Sequence, residues 1–311
     1  MMRALVVSNM RPLPGHPERG SFVRDQFSAL QRVEDLDVEL FEFASGPRGL
    51  AGAAAELRRH YARRRFDVVH AHFGLSAWPA LAVRTRVRAL TLHGTDLHHP
   101  RTRLLTRLAL PFIDVLGAAS PALVQEIPSK SARLRAEVLP CGVDLQRFRP
   151  LAREAARREL GLRAEGPYLL FAADPARPEK RYDRAVAVAG GTELLTLVGV
   201  DPPTVPLWIN AANAVLVPSA REGFGLAVLE ALACDVPVLA TPVGIHDEVL
   251  ADLPGALCAD FEANRWREAL APHLADPESR IDGRERASRY STTAMAKRVA
   301  DAWRGALLAA E

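Results

Sequence analysis

The stretch that decides the fold is Ala-Val-Leu-Val-Pro-Ser-Ala-Arg-Glu-Gly-Phe-Gly-Leu-Ala-Val-Leu-Glu-Ala-Leu-Ala, residues 214–233. It begins with four apolar residues typical of a buried strand, continues through a turn that contains Gly223 and Gly225, and ends in an apolar helical pattern. At the start of that helix, the free N–H groups of Phe224, Gly225 and Leu226 would bind an anion, and the helix dipole would strengthen the site. A buried strand followed by a turn and a helix predicts a parallel sheet covered by helices.

Outside this stretch, short apolar runs alternate with helical patterns from one end of the chain to the other. The apolar runs are residues 4–8, 37–43, 67–72, 89–93, 115–118, 137–140, 168–172, 194–198, 214–218 and 236–241, and the helical patterns are residues 22–33, 53–65, 122–127, 154–160 and 292–310. The alternation pauses near residue 150 and then restarts, which predicts an α/β protein with a hinge there. We therefore expect two doubly wound domains, residues 1–150 and 151–291, with the last helix packing back on the first domain.

Composition and charge narrow the class of protein. The 311 residues are 49% apolar and 25% charged, as in an ordinary globular protein. Residues 1–150 carry 22 basic and 14 acidic side chains and residues 151–311 carry 18 and 23, so the two halves are expected to have different partners. Nucleic-acid binding is not expected, because the basic stretches lack interleaved aromatic residues and the second half is acidic.

Cysteine usage and hydropathy bear on the compartment. The three cysteines are scattered along the chain, as expected in a reducing environment, and they lack the close pairs of a zinc site. No apolar stretch approaches the roughly 20 residues needed to cross a bilayer. The sequence therefore predicts a cytoplasmic protein.

Two carboxylates flank the glycine-containing turn. Glu222 and Glu230 are eight residues apart, and helical geometry would place them in one groove at a separation of roughly 10 Å. A carboxylate beside a phosphate-binding turn is suited to accept hydrogen bonds from hydroxyl groups, so a sugar and a ribose are natural partners. The alternative is an ordinary sheet-covering helix in which Glu230 is buried against a partner.

Motifs in both halves resemble family 4 of the retaining glycosyltransferases. The resemblance rests on Asn9–Val23, His70–Gly74, Thr91–Asp96, Pro140–Phe148 and Asn210–Thr241, which follow one another in the family's order. It covers most of the chain and implies the GT-B architecture, an α/β fold with two facing Rossmann-like domains. The first domain would bind the acceptor, and the second would bind a nucleoside diphosphate sugar.

The resemblance also implies roles for residues of the second domain. Glu222 would bind hydroxyl groups of the donor sugar, and Glu230 the ribose of the nucleotide. Lys180 would hold the donor diphosphate, and Arg177 would substitute for a family arginine whose place is taken here by Pro175. A pair of cations is expected, because a departing diphosphate develops negative charge that fixed donors must stabilise.

In the first domain the resemblance implies roles for His93, His72 and Gly20. His93 would lie near the donor sugar and the acceptor, His72 would contact the sugar or the acceptor, and Gly20 would let the first loop approach the diphosphate. The His70-x-His72 spacing also suggests a metal, but no third ligand follows at a suitable distance. The resemblance implies an enzyme that acts without a metal, so no metal site and no cofactor apart from the donor are expected.

Basic residues cluster in the first half, at Arg58–Arg65 and Arg84–Arg88. They would attract an acidic acceptor or an anionic membrane surface, and Arg103–Leu110 would similarly lie on lipid. The alternative is a solvated helix face in an arginine-rich sequence. The expected function is transfer of a sugar to a hydroxyl group of a glycan or glycolipid in cell-surface polysaccharide synthesis, in the cytoplasm or on the inner face of the membrane. A non-catalytic sugar-binding protein and a nucleotide-sugar epimerase are the alternatives.

Overall fold

The computed structural model describes residues 1–310, which form two compact units. The N-terminal unit contains residues 1–14, 19–142 and the segment from Thr292 onward, and the C-terminal unit contains residues 15–18 and 143–291. Each unit has one sheet of parallel strands with helices packed on it, so the predicted α/β fold class is confirmed.

The eleven strands in the described part of the chain belong to two sheets. They are β1 Met2–Ser8, β2 Leu36–Glu42, β3 Arg65–His72, β4 Arg84–Leu92, β5 Val115–Ala118, β6 Ala136–Val138, β7 Tyr168–Phe171, β8 Glu193–Thr196, β9 Ala214–Val217, β10 Val238–Ala240 and β11 Leu257–Cys258. The order in the N-terminal sheet is β2-β1-β3-β4-β5-β6, and the order in the C-terminal sheet is β11-β10-β9-β7-β8. In the C-terminal sheet the strands β7, β9 and β10 are buried at every position, because helices cover both faces. In the N-terminal sheet β3 and β4 are buried toward their carboxyl ends, and both begin with an exposed arginine.

The helices connect successive strands. They are α1 Ser21–Leu30, α2 Pro47–Tyr61, α3 Ala77–Ala80, α4 Thr95–His98, α5 Pro100–Ala109, α6 Pro121–Glu126, α7 Lys130–Leu134, α8 Arg153–Glu159, α9 Tyr182–Ala189, α10 Val205–Ala211, α11 Leu226–Ala233, α12 His246–Leu250, α13 Ala263–Ala275, α14 Arg284–Ser288 and α15 Thr292–Ala309. The helix expected to reach Arg65 ends at Tyr61, because Arg65 already pairs with Arg84 in the sheet. The arginines at 84–88 lie on β4, so their interpretation as part of a solvated helix face is wrong.

Helix α15 completes the core of the N-terminal unit. Its residues Met295, Val299 and Trp303 are fully buried and pack among residues of β1, β3, β4 and α1. The Trp303 indole donates a hydrogen bond of 3.2 Å to His70 Nδ1 on β3. The last helix is thus an integral part of this unit.

An arginine in the C-terminal unit fixes the far end of α11. The Arg284 guanidinium donates to the carbonyl oxygens of Ala233, Phe148 and Leu145, at 2.6–2.7 Å. Ala233 is the last residue of α11, so these bonds join the helix to the segment that enters the unit. A charged donor on three carbonyl groups holds the helix in one position, which in turn fixes the turn at its start.

Candidate functional site

The turn after β9 carries a compact cluster of polar side chains. Lys180 Nζ lies 2.6 and 2.7 Å from the two carboxylate oxygens of Glu222, and Ser219 Oγ donates to Glu222 Oε1 at 2.7 Å. A backbone hydrogen bond of 2.8 Å from Ala220 N to Glu179 O ties the segment that bears Lys180 to this turn. Residues 42 positions apart in the sequence are thereby joined in one site.

The Lys180–Glu222 pair is largely buried, since the two side chains are 14% and 10% exposed. Burial alone would raise the pKa of Glu222. The charge and hydrogen bonds of Lys180 and the hydroxyl of Ser219 lower this pKa by more than burial raises it, so the net shift is downward. Glu222 is therefore ionised. Three hydrogen bonds leave its carboxylate able to accept about one more, and the Lys180 ammonium has three protons, of which two point to Glu222.

The start of α11 presents backbone donors beside this pair. Among residues 1–310 the structure shows no acceptor for the N–H groups of Phe224, Gly225 and Leu226. Gly225, at φ +115°, turns the chain into the helix, a conformation that residues with a Cβ rarely adopt. The predicted arrangement of a glycine turn opening a helix is therefore present, and its three N–H groups have no acceptor among the described residues.

A buried histidine, which the sequence analysis did not identify, supports this turn from behind. His246 is fully buried, and its Nδ1 lies 2.8 Å from Thr241 O, so that nitrogen carries the proton and donates. A Cβ on Gly225 would lie 2.5 Å from His246 Nε2, which shows how closely ring and turn are packed. Burial lowers the pKa of His246, so the ring is neutral. Only its position six residues after β10 could have drawn attention to it.

Arg177 and Glu230 do not join the cluster in the expected way. The Arg177 guanidinium contacts Glu179 at 2.7 Å and is 55% exposed, so the structure does not bring it to Glu222. Glu230 is half-buried one turn into α11, whereas Glu222 precedes the helix by four residues. The expectation that two helical turns separate Glu222 from Glu230 is therefore wrong, because the helix begins only at Leu226.

In the N-terminal unit three histidine rings stack at the carboxyl ends of β3 and β4. The ring centroids of His70 and His72 are 4.8 Å apart and those of His72 and His93 are 5.2 Å apart. Because His70 Nδ1 accepts from Trp303, its Nε2 carries the proton and donates to Thr91 Oγ1 at 2.8 Å. His70 is thus a core histidine with both nitrogens paired, while His72 and His93 share one hydrogen bond of 2.9 Å.

Burial keeps these rings neutral. It lowers the pKa of His72 to about 3 and that of His70 and His93 well below the ordinary value, with repulsion between the rings adding to the shift of the last two. His72 Nε2 is buried and has no hydrogen-bond partner within residues 1–310. Neutral rings of this kind bind hydroxyl groups and do not act as cations.

Asp96 fixes the loop that carries His93, a role the sequence analysis did not assign. Its buried carboxylate accepts hydrogen bonds from the N–H groups of His93, Gly94 and Gly74, at 2.8–3.3 Å. Burial raises the Asp96 pKa to about 6 despite these bonds. The signal was an aspartate three residues after His93, a spacing typical of a side chain that binds its own turn. Gly20 lies in another loop, at φ +71°, where a Cβ would come within 2.5 Å of Met10 O.

The main arginine cluster of the N-terminal unit lies at the amino ends of β3 and β4, whereas the histidines lie at the carboxyl ends of these strands. A cavity of 380 Å³ is lined by Arg63, Arg64, Arg65, Arg84, Thr85 and Arg88. Arg65 begins β3 and Arg84 begins β4, whereas His72 ends β3 and His93 follows β4. These arginines therefore do not surround the histidines.

Residues 1–310 contain neither a cluster of metal-binding side chains nor a helix suited to cross a membrane. Within the described residues, no three or more His, Cys, Asp and Glu side chains lie together in a way that could hold a metal ion. None of the described helices is long and apolar enough to cross a membrane.

The fold is that of the GT-B glycosyltransferases. Sucrose-phosphate synthase from Thermosynechococcus elongatus superimposes on the chain with a TM-score of 0.78 over 100% of both chains, at 21% identity. Anabaena HepE in complex with UDP and glucose gives a TM-score of 0.69 over 97% of this chain and 99% of that one, at 17% identity. At identities this low, the structural similarity establishes the architecture only, and the family is assigned by sequence comparison.

Sequence comparison assigns the family. The model of Glycosyltransferase Family 4 matches residues 6–147, and that of Glycosyl transferases group 1 matches residues 166–290. The D-inositol 3-phosphate glycosyltransferase of Frankia alni is 31% identical over 310 aligned positions, which cover 78% of this chain and 75% of that protein. The chain belongs to glycosyltransferase family 4 and is a glycosyltransferase, as the sequence motifs predicted.

Proposed function

We propose that this glycosyltransferase moves a sugar from a nucleoside diphosphate sugar to a hydroxyl group of a glycan or glycolipid, with retention of the anomeric configuration. The observation that carries the proposal is the Lys180–Glu222 pair beside the unpaired N–H groups at the start of α11. The third Lys180 proton and the N–H groups of Phe224, Gly225 and Leu226 bind the diphosphate. The remaining acceptor position of Glu222 takes a sugar hydroxyl, and Glu230 takes the ribose.

The reaction is a front-face displacement. The bond between the anomeric carbon and the phosphate oxygen breaks while the acceptor oxygen forms a new bond to that carbon on the same face. The acceptor proton goes to the departing phosphate oxygen, whose growing charge is stabilised by Lys180 and the N–H groups of the turn. Arg177 is proposed as a second cation, reached by exchanging its contact with Glu179 for the diphosphate.

The N-terminal unit is proposed to bind the acceptor. His93 and His72, as neutral rings, hydrogen-bond hydroxyl groups, and Gly20 allows the loop before α1 to approach the diphosphate. No metal and no cofactor apart from the donor take part. A cytoplasmic enzyme in peripheral contact with an anionic membrane fits this proposal, because a glycolipid acceptor lies there.

A phosphorylated polyol is a second candidate acceptor. It is favoured by the name of the Frankia alni relative, a D-inositol 3-phosphate glycosyltransferase. The two acceptor classes differ in whether transfer requires a lipid or glycan chain.

The test begins with a thermal-shift panel of UDP, GDP and ADP and their sugars, because a ligand that binds the folded protein raises its melting temperature. The best donor is then incubated in radiolabelled form with a glycolipid and with inositol 3-phosphate, and the anomeric configuration of the product is determined by NMR. An α-linked product from an α-linked donor supports the proposal. An inverted product, an epimerised donor, or no transfer and no hydrolysis with any donor would contradict it.

A further inference from the structure

Helix α5 and the turn after it expose large apolar side chains on the outer surface of the N-terminal unit. The side chains of Leu104, Leu105, Leu108 and Phe112 are 56%, 39%, 52% and 52% exposed. Their spacing of one, three and four residues places them on one stripe of the helical path. Exposed apolar residues are ordinary when single, but a contiguous stripe marks an interaction surface.

The inner face of α5 is fully packed. Thr106 and Ala109 are buried, and Thr106 Oγ1 donates to Asp96 O at 3.3 Å. A Cβ on Gly74 would overlap Thr106, which shows how closely the helix approaches the neighbouring loop. The helix is therefore apolar on both faces.

Arginines flank the apolar stripe. Arg101, Arg103 and Arg107 are exposed, and the described residues provide no acidic partner for their side chains. No Asp or Glu occurs between Asp96, which is buried, and Asp114. A helix with leucine and phenylalanine on its outer face, bordered by arginine, has the character of an interfacial helix that lies on an anionic bilayer.

We infer that the α5 face, defined as Leu104, Leu105, Leu108 and Phe112 with the three flanking arginines, docks on a bilayer containing anionic phospholipid. The four apolar side chains enter the boundary between head groups and acyl chains, and the arginines remain at the level of the phosphates. Charge complementarity favours lipid over a second copy of this chain, because two copies meeting through this face would bring the arginines together. The inference rests on the proposed function only in placing the acceptor at a membrane.

The test is flotation with vesicles of phosphatidylcholine alone and of phosphatidylcholine mixed with phosphatidylglycerol. The variant Leu104→Glu/Leu108→Glu is compared with Leu134→Glu/Leu308→Glu, which makes the same chemical change at two other leucines, 82% and 72% exposed. The wild type and the second variant should float with the mixed vesicles. The first variant should partition at least about tenfold less, because its docking surface is no longer apolar.

A charge variant tests the contribution of the arginines to binding by the α5 face. Arg103→Gln/Arg107→Gln should lower partitioning into the mixed vesicles by about fivefold for each arginine and leave binding to phosphatidylcholine alone almost unchanged. All variants change exposed residues, so their melting temperatures should match that of the wild type.

Three outcomes would overturn the inference. The first is a wild type that does not float with the mixed vesicles, and the second is equal flotation of the two leucine variants. The third is a dimer of the wild type in sedimentation that is lost only in the variant Leu104→Glu/Leu108→Glu. Donor hydrolysis without vesicles separates this inference from the proposed function. Lys180→Met should lower hydrolysis by about 10²- to 10³-fold and still float, whereas Leu104→Glu/Leu108→Glu should hydrolyse the donor and float at least about tenfold less.

Discussion

Acid should destabilise the N-terminal unit through His72. In the folded protein burial lowers the pKa of this side chain to about 3, whereas in an unfolded chain it is about 6.5. As the pH falls below 6.5 the unfolded chain takes up a proton that the folded unit does not accept. The contribution of His72 to the stability of the folded unit is therefore present above pH 6.5 and is lost as the pH decreases below it.

The size of the effect follows from the two pKa values. Between pH 7 and pH 5, His72 should lower the free energy of unfolding by about 2 kcal/mol. His70 and His93 act in the same direction, because burial also lowers their pKa values. Asp96 opposes them. Its pKa, raised to about 6 by burial, lets the folded unit take up a proton as the pH falls through 6, which stabilises it by about 1 kcal/mol at pH 5 relative to pH 7.

The assay is urea unfolding of the full chain between pH 7 and pH 5. His72→Phe keeps an aromatic ring in the stack but cannot titrate, so its stability should fall by about 2 kcal/mol less than that of the wild type over this range. His60→Phe, at an exposed position on α2, serves as the matched control and should follow the wild type. The comparison uses the change with pH, so a constant effect of the substitution on packing cancels.

Two results would refute this reasoning. The first is a wild-type stability that does not decrease between pH 7 and pH 5. The second is a His72→Phe variant whose pH dependence equals that of the wild type, since the burial of His72 would then not control its protonation.

Three further predictions concern the C-terminal unit. Lys180→Met should lower the rate of sugar transfer by about 10²- to 10³-fold in a steady-state assay, whereas Lys297→Met on the exposed face of α15 should leave it unchanged; equal rates would exclude the proposed role. Arg284→Met should lower the free energy of urea unfolding by at least about 3 kcal/mol, because three carbonyl groups lose a charged donor, and an unaltered midpoint would contradict this. Gly225→Ala should eliminate the thermal shift caused by the nucleotide, because φ +115° is strained for alanine and the new methyl group would meet His246; a normal shift would show that the turn tolerates a side chain.

The fold was predictable because parallel strands covered on both faces have a simple sequence pattern. The runs at 115–118 and 168–172 match β5 and β7 to within one residue. The error at Arg65 has a physical cause. Arginine occurs readily both at the end of a helix and at the exposed beginning of a strand, so only pairing with Arg84 decides where α2 ends.

The candidate site was predictable only in part. The motif around Glu222 identified the turn, and the matched context identified Lys180, yet neither predicted that the two side chains would bind each other. Asp96 and His246 were missed, because a buried polar residue is recognised by its partners, and these are backbone groups that a sequence pattern does not reveal. Only its position in the sequence suggests a role for Arg177, and its contact with Glu179 depends on a turn whose geometry the sequence does not indicate.

The return of α15 to the N-terminal unit determines the order in which the nascent chain can fold. The first strand, Met2–Ser8, leaves the ribosome early, but Trp303 emerges only after the whole segment 143–291 has been synthesised. At about 5–20 residues per second, this leaves the N-terminal unit without its last helix for roughly seven to thirty seconds, long enough for the segment 143–291 to fold first. A premature stop after Ser291 would therefore damage the half of the protein that was translated first.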